Sequence, residues 1–78
     1  MKKYLDRSGN SGITHYECGE DFIAIRFSAN KSTYIYNYEL SGKDHVERMK
    51  ILADDGAGLN TYISQHPEVR DHFEEKLS

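Results

Sequence analysis

One cysteine, Cys18, stands in a chain of 78 residues. No internal disulfide can form, so a small secreted fold stapled by bridges is excluded. Long apolar runs are missing too: the longest is Phe22 to Ile25, against the ~20 residues needed to cross a bilayer. Met1-Lys2-Lys3 has the charge of a leader, but Tyr4-Leu5 runs straight into Asp6-Arg7 without the apolar stretch a signal needs. The expectation is a soluble, cytoplasmic protein with no membrane contact. A basic excess is also lacking. The net charge is −3, and residues 59–78 carry two basic against four acidic side chains. Non-specific nucleic-acid binding rests on Lys and Arg neutralising phosphates, and this balance argues against it. Tryptophan is absent, while six Tyr and three Phe make the aromatic content phenolic. There is no internal repeat and no low-complexity segment.

What remains is one small domain, since 78 residues are one domain at most, and its core must be compact because a chain this short buries only roughly 60–65% of the surface it exposes when unfolded. The densest apolar stretch runs from Asp21 to Tyr38. Phe22 to Phe27 and Thr33 to Tyr38 are rich in β-branched and aromatic residues, and the polar break Ser28 to Ser32 separates them. That pattern predicts a hairpin. Alternation puts Ile23, Ile25 and Phe27 on one face with Tyr34, Tyr36 and Tyr38, and this is the expected core side. Ile13 to Cys18 predicts a short first strand. Residues 1–10, with the turn cluster Ser8 to Gly12, read as a flexible N-terminal arm outside a domain of residues 11–78.

Beyond Ser41-Gly42 the period changes. Val46, Met49 and Ala53 recur at helical spacing with Leu52 beside them, and Ser41 with Asp44 resembles a weak capping pair. Gly56 and Gly58 end this helix, with Gly56 expected in a left-handed conformation. A short helix follows from about Leu59 to Ser64, with Leu59, Tyr62 and Ile63 inward. Pro67 opens a last helix, whose stripe is Val69, Phe73 and Leu77. The predicted fold class is α+β: a three-stranded antiparallel meander followed by two or three helices packed on one face.

Ile13 with Tyr16, the alternating Phe22 to Phe27, the pair Tyr34 and Tyr36, Ala53 with Gly56, and Asn60 with Ile63 together resemble the KTSC domain. This is a small module of bacterial and phage proteins, named for its occurrence at the C-terminus of some lysyl-tRNA synthetases. The likeness covers residues 11–73 and includes Gly56 and Asn60; Gly56, Gly58 and Asn60 are read as structural residues. Where the family has a glycine-containing turn, this chain has Ser28-Ala29-Asn30-Lys31-Ser32. The resemblance implies a bacterial or phage origin and a compact meander with helices. It brings no catalytic residue.

Chemistry is sparse along the chain. His15, His45, His66 and His72 form no local pairs of the zinc type, so surface histidines and no metal are expected. Asp54 to Asn60 lacks the alternating ligands and terminal Glu of a calcium loop. Gly56 to Asn60 lacks the lysine of a phosphate loop. No motif places a nucleophile beside a base. The expectation is no enzyme and no cofactor.

Binding is the remaining class. The sheet face opposite the core carries Phe22, Ala24 and Arg26 on one strand and Thr33, Ile35 and Asn37 on the next, and Tyr38, on the core side by alternation, is expected partly exposed at the strand end. Phe22, Arg26, Ile35, Asn37 and Tyr38 are the candidate binding residues. Apolar groups beside an Arg have the composition of an interface centre, which favours an unknown protein partner, with self-association possible. The alternative is RNA or nucleotide binding by sheet aromatics, which needs Lys2, Lys3, Arg7, Arg26 and Lys31 gathered on one face.

Overall fold

The computed structural model describes residues 1–7, 9, 11–29 and 32–77, the last of them for its backbone alone. Among the described residues, five strands form one antiparallel sheet in chain order: β1 (Lys2–Lys3), β2 (Ile13–Cys18), β3 (Phe22–Phe27), β4 (Ser32–Asn37) and β5 (Glu74–Leu77). Four helices lie between β4 and β5: α1 (Tyr38–Ser41), α2 (Lys43–Asp55), α3 (Leu59–Gln65) and α4 (Pro67–Arg70). The class is α+β. The meander β2-β3-β4 is the centre of the sheet, and two edge strands widen it.

Register explains the core. Ile23 stands opposite Tyr36 and Ile25 opposite Tyr34, so the isoleucine and tyrosine sets share a face, as strand alternation requires. The helices supply the other half: Val46, Met49 and Ala53 from α2, Leu59 and Ile63 from α3, and Val69 from α4 are buried in the same cluster. On β2, Ile13 pairs with Phe27 but His15 pairs with Arg26, which leaves one extra residue in the strand. That bulge resets the alternation, so Ile13 and Tyr16, three residues apart, both enter the core.

Three expectations are corrected. Residues 1–7 are part of the fold, not a flexible arm. Lys2 and Lys3 pair with Tyr16 and His15, the Tyr4 amide donates to the Thr14 carbonyl at 2.9 Å, and the Tyr4 side chain is only 3% exposed. Its ring meets Tyr16 edge-on, with centroids 6.4 Å apart. The domain boundary therefore does not fall at residue 11. Of the turn cluster, Ser8 and Asn10 lie outside the described residues, as do Asn30 and Lys31 of the β3–β4 connection.

The second correction concerns the C-terminal stripe. Val69 is buried in the single turn of α4, but Glu74–Leu77 is a strand paired with β4. An uncovered β4 would present a row of unpaired amides and carbonyls, and β5 satisfies them. Phe73 stacks on Tyr34 at 4.5 Å; the Leu77 side chain lies outside the described residues.

The third concerns the two caps around α1. Tyr38 opens α1 instead of ending the strand stripe, because the Asn37 side chain accepts from the Leu40 amide at 2.7 Å and caps the helix. Ser41 does not cap α2. Its hydroxyl donates to the His72 carbonyl at 2.7 Å, and Gly42 takes the cap position.

Gly56 sits at φ 79° after α2, and its amide donates to the carbonyls of Leu52 and Ala53. Gly58, at φ 83°, precedes α3, and Asn60 lies in the first turn of that helix. The two glycines are constrained differently. A Cβ on Gly56 would lie 2.6 Å from Leu5 Cβ, whereas the nearest atom to one on Gly58 is 3.7 Å away.

Two outcomes are expected in denaturation experiments. Gly58→Ala should cost about 1 kcal/mol, the conformational penalty of a left-handed residue, and Gly56→Ala distinctly more, because Leu5 must also move. Equal costs would mean that Leu5 does not press on the cap. Tyr4→Ala should cost about 3–5 kcal/mol, as for a buried aromatic; an unchanged midpoint would return residues 1–7 to a loose arm.

Candidate functional site

Directly opposed residues share a sheet face. On the face turned away from the helices the register sets out one row of Lys3, His15, Arg26, Thr33 and Lys76 and a second of Glu17, Ala24, Ile35 and Glu74, with Phe22 opposite Asn37 beyond them. Strands about 4.8 Å apart put the ends of the first row about 19 Å from each other. Among the described residues, no carboxylate lies within ion-pair distance of Lys3, Arg26 or Lys76. Beside this row is a depression of about 280 Å³ lined by Asp21, Phe22, Ile35, Asn37, Glu74 and Lys76. The Phe22 ring lies over Gly19, where a Cβ would come within 1.9 Å of it. Ala24 at the centre is 5% exposed although it is not part of the helix-side core.

Four of the five candidate residues, Phe22, Arg26, Ile35 and Asn37, are thus together and half-buried on one face. Tyr38 is not with them. Its ring packs against the core, and its hydroxyl donates to Glu47 at 2.5 Å. The five basic residues are not gathered either. Lys3 and Arg26 share the outer face, Lys2 alternates to the other side, and Arg7 donates from Nε to the Asp55 carbonyl at 2.7 Å; Lys31 lies outside the described residues. Lys76 joins the row instead. A helical reading of the C-terminus hides it, and Glu74-Glu75-Lys76-Leu77 carries no alternation of apolar and polar residues that would signal a strand. The tyrosine stripe faces inward, with Tyr36 1% exposed and Tyr34 between Phe27 and Phe73.

A second cluster lies in the helical layer. His45 of α2, His66 before α4 and Glu68 of α4 bring ligand-type atoms within 4.8 Å of one another. His45 Nε2 is 3.2 Å from Glu68 Oε1, and its Nδ1 is 2.7 Å from the Tyr62 hydroxyl. His66 Nδ1 is 2.7 Å from the Tyr62 carbonyl, and the Tyr62 and His66 rings stack at 4.0 Å. Burial first, then Glu68 and Asp44, push the Tyr62 hydroxyl above its usual range against Arg48. Spacing along the chain cannot reveal this cluster, since His45 and His66 are on different elements.

Near the start of the chain, Met1, Lys2, Tyr16, Glu17, Cys18 and Asp54 line a cleft of about 460 Å³. The Cys18 thiol there is pushed up by partial burial and by Asp54, which disfavours the reactive thiolate. Tyr16 donates to Asp54 at 2.8 Å and is pushed up to about 12 by burial and by that bond. Tyr38 is pushed up to about 12, first by its bond to Glu47. Glu47 is held below the usual carboxylate range by hydrogen bonds from Lys50 and Tyr38.

No protein-family model, no curated protein and no solved structure matches the chain. Among the described residues, no helix is long and apolar enough to cross a membrane.

The tyrosines give a pH prediction. An unfolded tyrosine ionises near 10.0, whereas folded Tyr16 and Tyr38 ionise near about 12. Alkali therefore draws the chain toward the unfolded state. Stability should be fully present below pH 10 and fall as pH rises toward about 12. Denaturation at stepped pH, followed with phenolate absorbance, checks this, and Tyr16→Phe should remove part of the decline. A wild-type curve flat across that range would refute it.

Proposed function

We propose that the protein is a small non-catalytic interaction module, a KTSC-like domain of bacterial or phage type working in the cytoplasm. It binds an acidic segment of a protein partner across the outer face of its sheet. The observation that carries this reading is the row Lys3, Arg26 and Lys76, without carboxylate partners among the described residues, beside the Phe22–Ile35 depression. A peptide carboxylate suits Arg26, whose planar fork binds such groups in two-pronged fashion. An aliphatic or aromatic side chain of the same segment fits the depression, and Glu17, Asp21 and Glu74 form a rim that sets register. An interface with an apolar centre and a charged rim has this composition.

RNA is the second reading, because the same cation row would suit phosphates. Two features weigh against it. The tyrosines that would stack bases pack inward with Phe73 and Ile25, and three carboxylates share the outer face or its edge.

Panning a random peptide library on the wild-type protein should enrich acidic sequences with one large apolar residue. Arg26→Glu should abolish the enrichment while leaving the thermal midpoint within a few degrees. Gly19→Ala should weaken it, by pushing the Phe22 ring off its seat. Peptides without acidic bias, or enrichment untouched by Arg26→Glu, would sink the protein-partner reading. Random RNA that binds and releases steeply with salt would move the function to nucleic acid.

A further inference from the structure

We propose that His45, His66 and Glu68 form a three-ligand site for a divalent transition-metal ion of the zinc type. Two imidazoles and one carboxylate are a donor set such ions accept, with a fourth position left for water. The geometry is near what zinc requires. Bonds of about 2.0–2.1 Å in a tetrahedron set ligand atoms about 3.3 Å apart, and His45 Nε2 is 3.2 Å from Glu68 Oε1. The whole set spreads to 4.8 Å. Closing it asks the widest-spaced ligand atoms to approach by about 1.5 Å, shared between the exposed Glu68 and the half-buried rings.

The hydrogen bonds behind the rings are what lift this above a chance cluster. The Tyr62 carbonyl can only accept, so His66 Nδ1 carries a proton and donates to it. The lone pair of the neutral ring is then on Nε2. For His45, the Tyr62 hydroxyl can accept from Nδ1, which frees Nε2 for an ion next to Glu68. Metal-bound histidines commonly donate their second N–H to a carbonyl or another oxygen in this way, and the partner fixes tautomer and ring angle. Here one residue, Tyr62, does it for both rings through its carbonyl and hydroxyl, and its ring stacks on His66. A His45–Glu68 ion pair alone accounts for neither the position of His66 nor this shared anchor. Pro67 and the buried Val69 hold His66 and Glu68 in place.

The test uses untagged, full-length protein and zinc(II) itself. Calorimetric titration should give one ion per chain, and zinc should raise the thermal midpoint in a way that a chelator reverses. Cobalt(II) in place of zinc should show the intense visible bands of a tetrahedral site. His66→Ala and Glu68→Gln should each weaken zinc at least about tenfold, and Tyr62→Phe, which keeps the ring stack but removes the hydroxyl, about tenfold. His72→Ala and Cys18→Ser should change nothing. No zinc binding by the wild type, affinity unchanged in both His66→Ala and Glu68→Gln, or binding lost in Cys18→Ser would each overturn the site.

Discussion

A single cross-strand register holds this molecule in its shape. Ile23 against Tyr36 and Ile25 against Tyr34 fix which face of the sheet meets Val46, Met49 and Leu59. Each fully buried aliphatic side chain contributes about 1.5–3 kcal/mol, a large share of the total for a domain this small. A slip of one residue would turn Phe22, Ala24 and Arg26 inward and expose the isoleucines. The composition of the outer face therefore follows from the same constraint as the core. Arg26 shares the outer face with Phe22 and Ile35 because its neighbours Ile25 and Phe27 are committed to the helices.

The sheet centre was legible in the sequence because period-two alternation over six residues is a strong local signal. The α2 stripe Val46, Met49, Ala53 and the left-handed Gly56 were legible for the same reason. The edges were not. β1 is two residues long, too short for any period to appear, and its place depends on Tyr4, which is buried against Tyr16 of β2. β5 carries Glu74, Glu75 and Lys76, a composition with low strand propensity. It is a strand only because the open edge of β4 needs partners. Val69, Phe73 and Leu77 matched a helix by spacing alone, and tertiary pairing overrode it.

The candidate sites divide in the same way. Phe22, Arg26, Ile35 and Asn37 came together as alternation required, since two neighbouring strands define that patch. Lys76, which completes the cation row, depended on the missed strand. Tyr38 leaves the patch because the Asn37 cap converts a strand end into a helix start, a change that one side chain controls. The His45, His66 and Glu68 cluster was invisible to spacing rules, because its members meet only when α4 folds back on the first turn of α2.

α4 links the two faces of the molecule. Its one turn is too short to be stable by itself, and Val69, buried at 0% exposure, is what pins it. From there the chain runs through Phe73, stacked on Tyr34, into β5, which delivers Glu74 and Lys76 to the outer face. His66 and Glu68 stand at the start of this path. An ion held between them and His45 would tie α4 to α2 by ligand bonds in addition to Val69 packing. The helical cluster and the cation row occupy opposite sides of the sheet, and the segment from His66 to Lys76 gives them a physical connection.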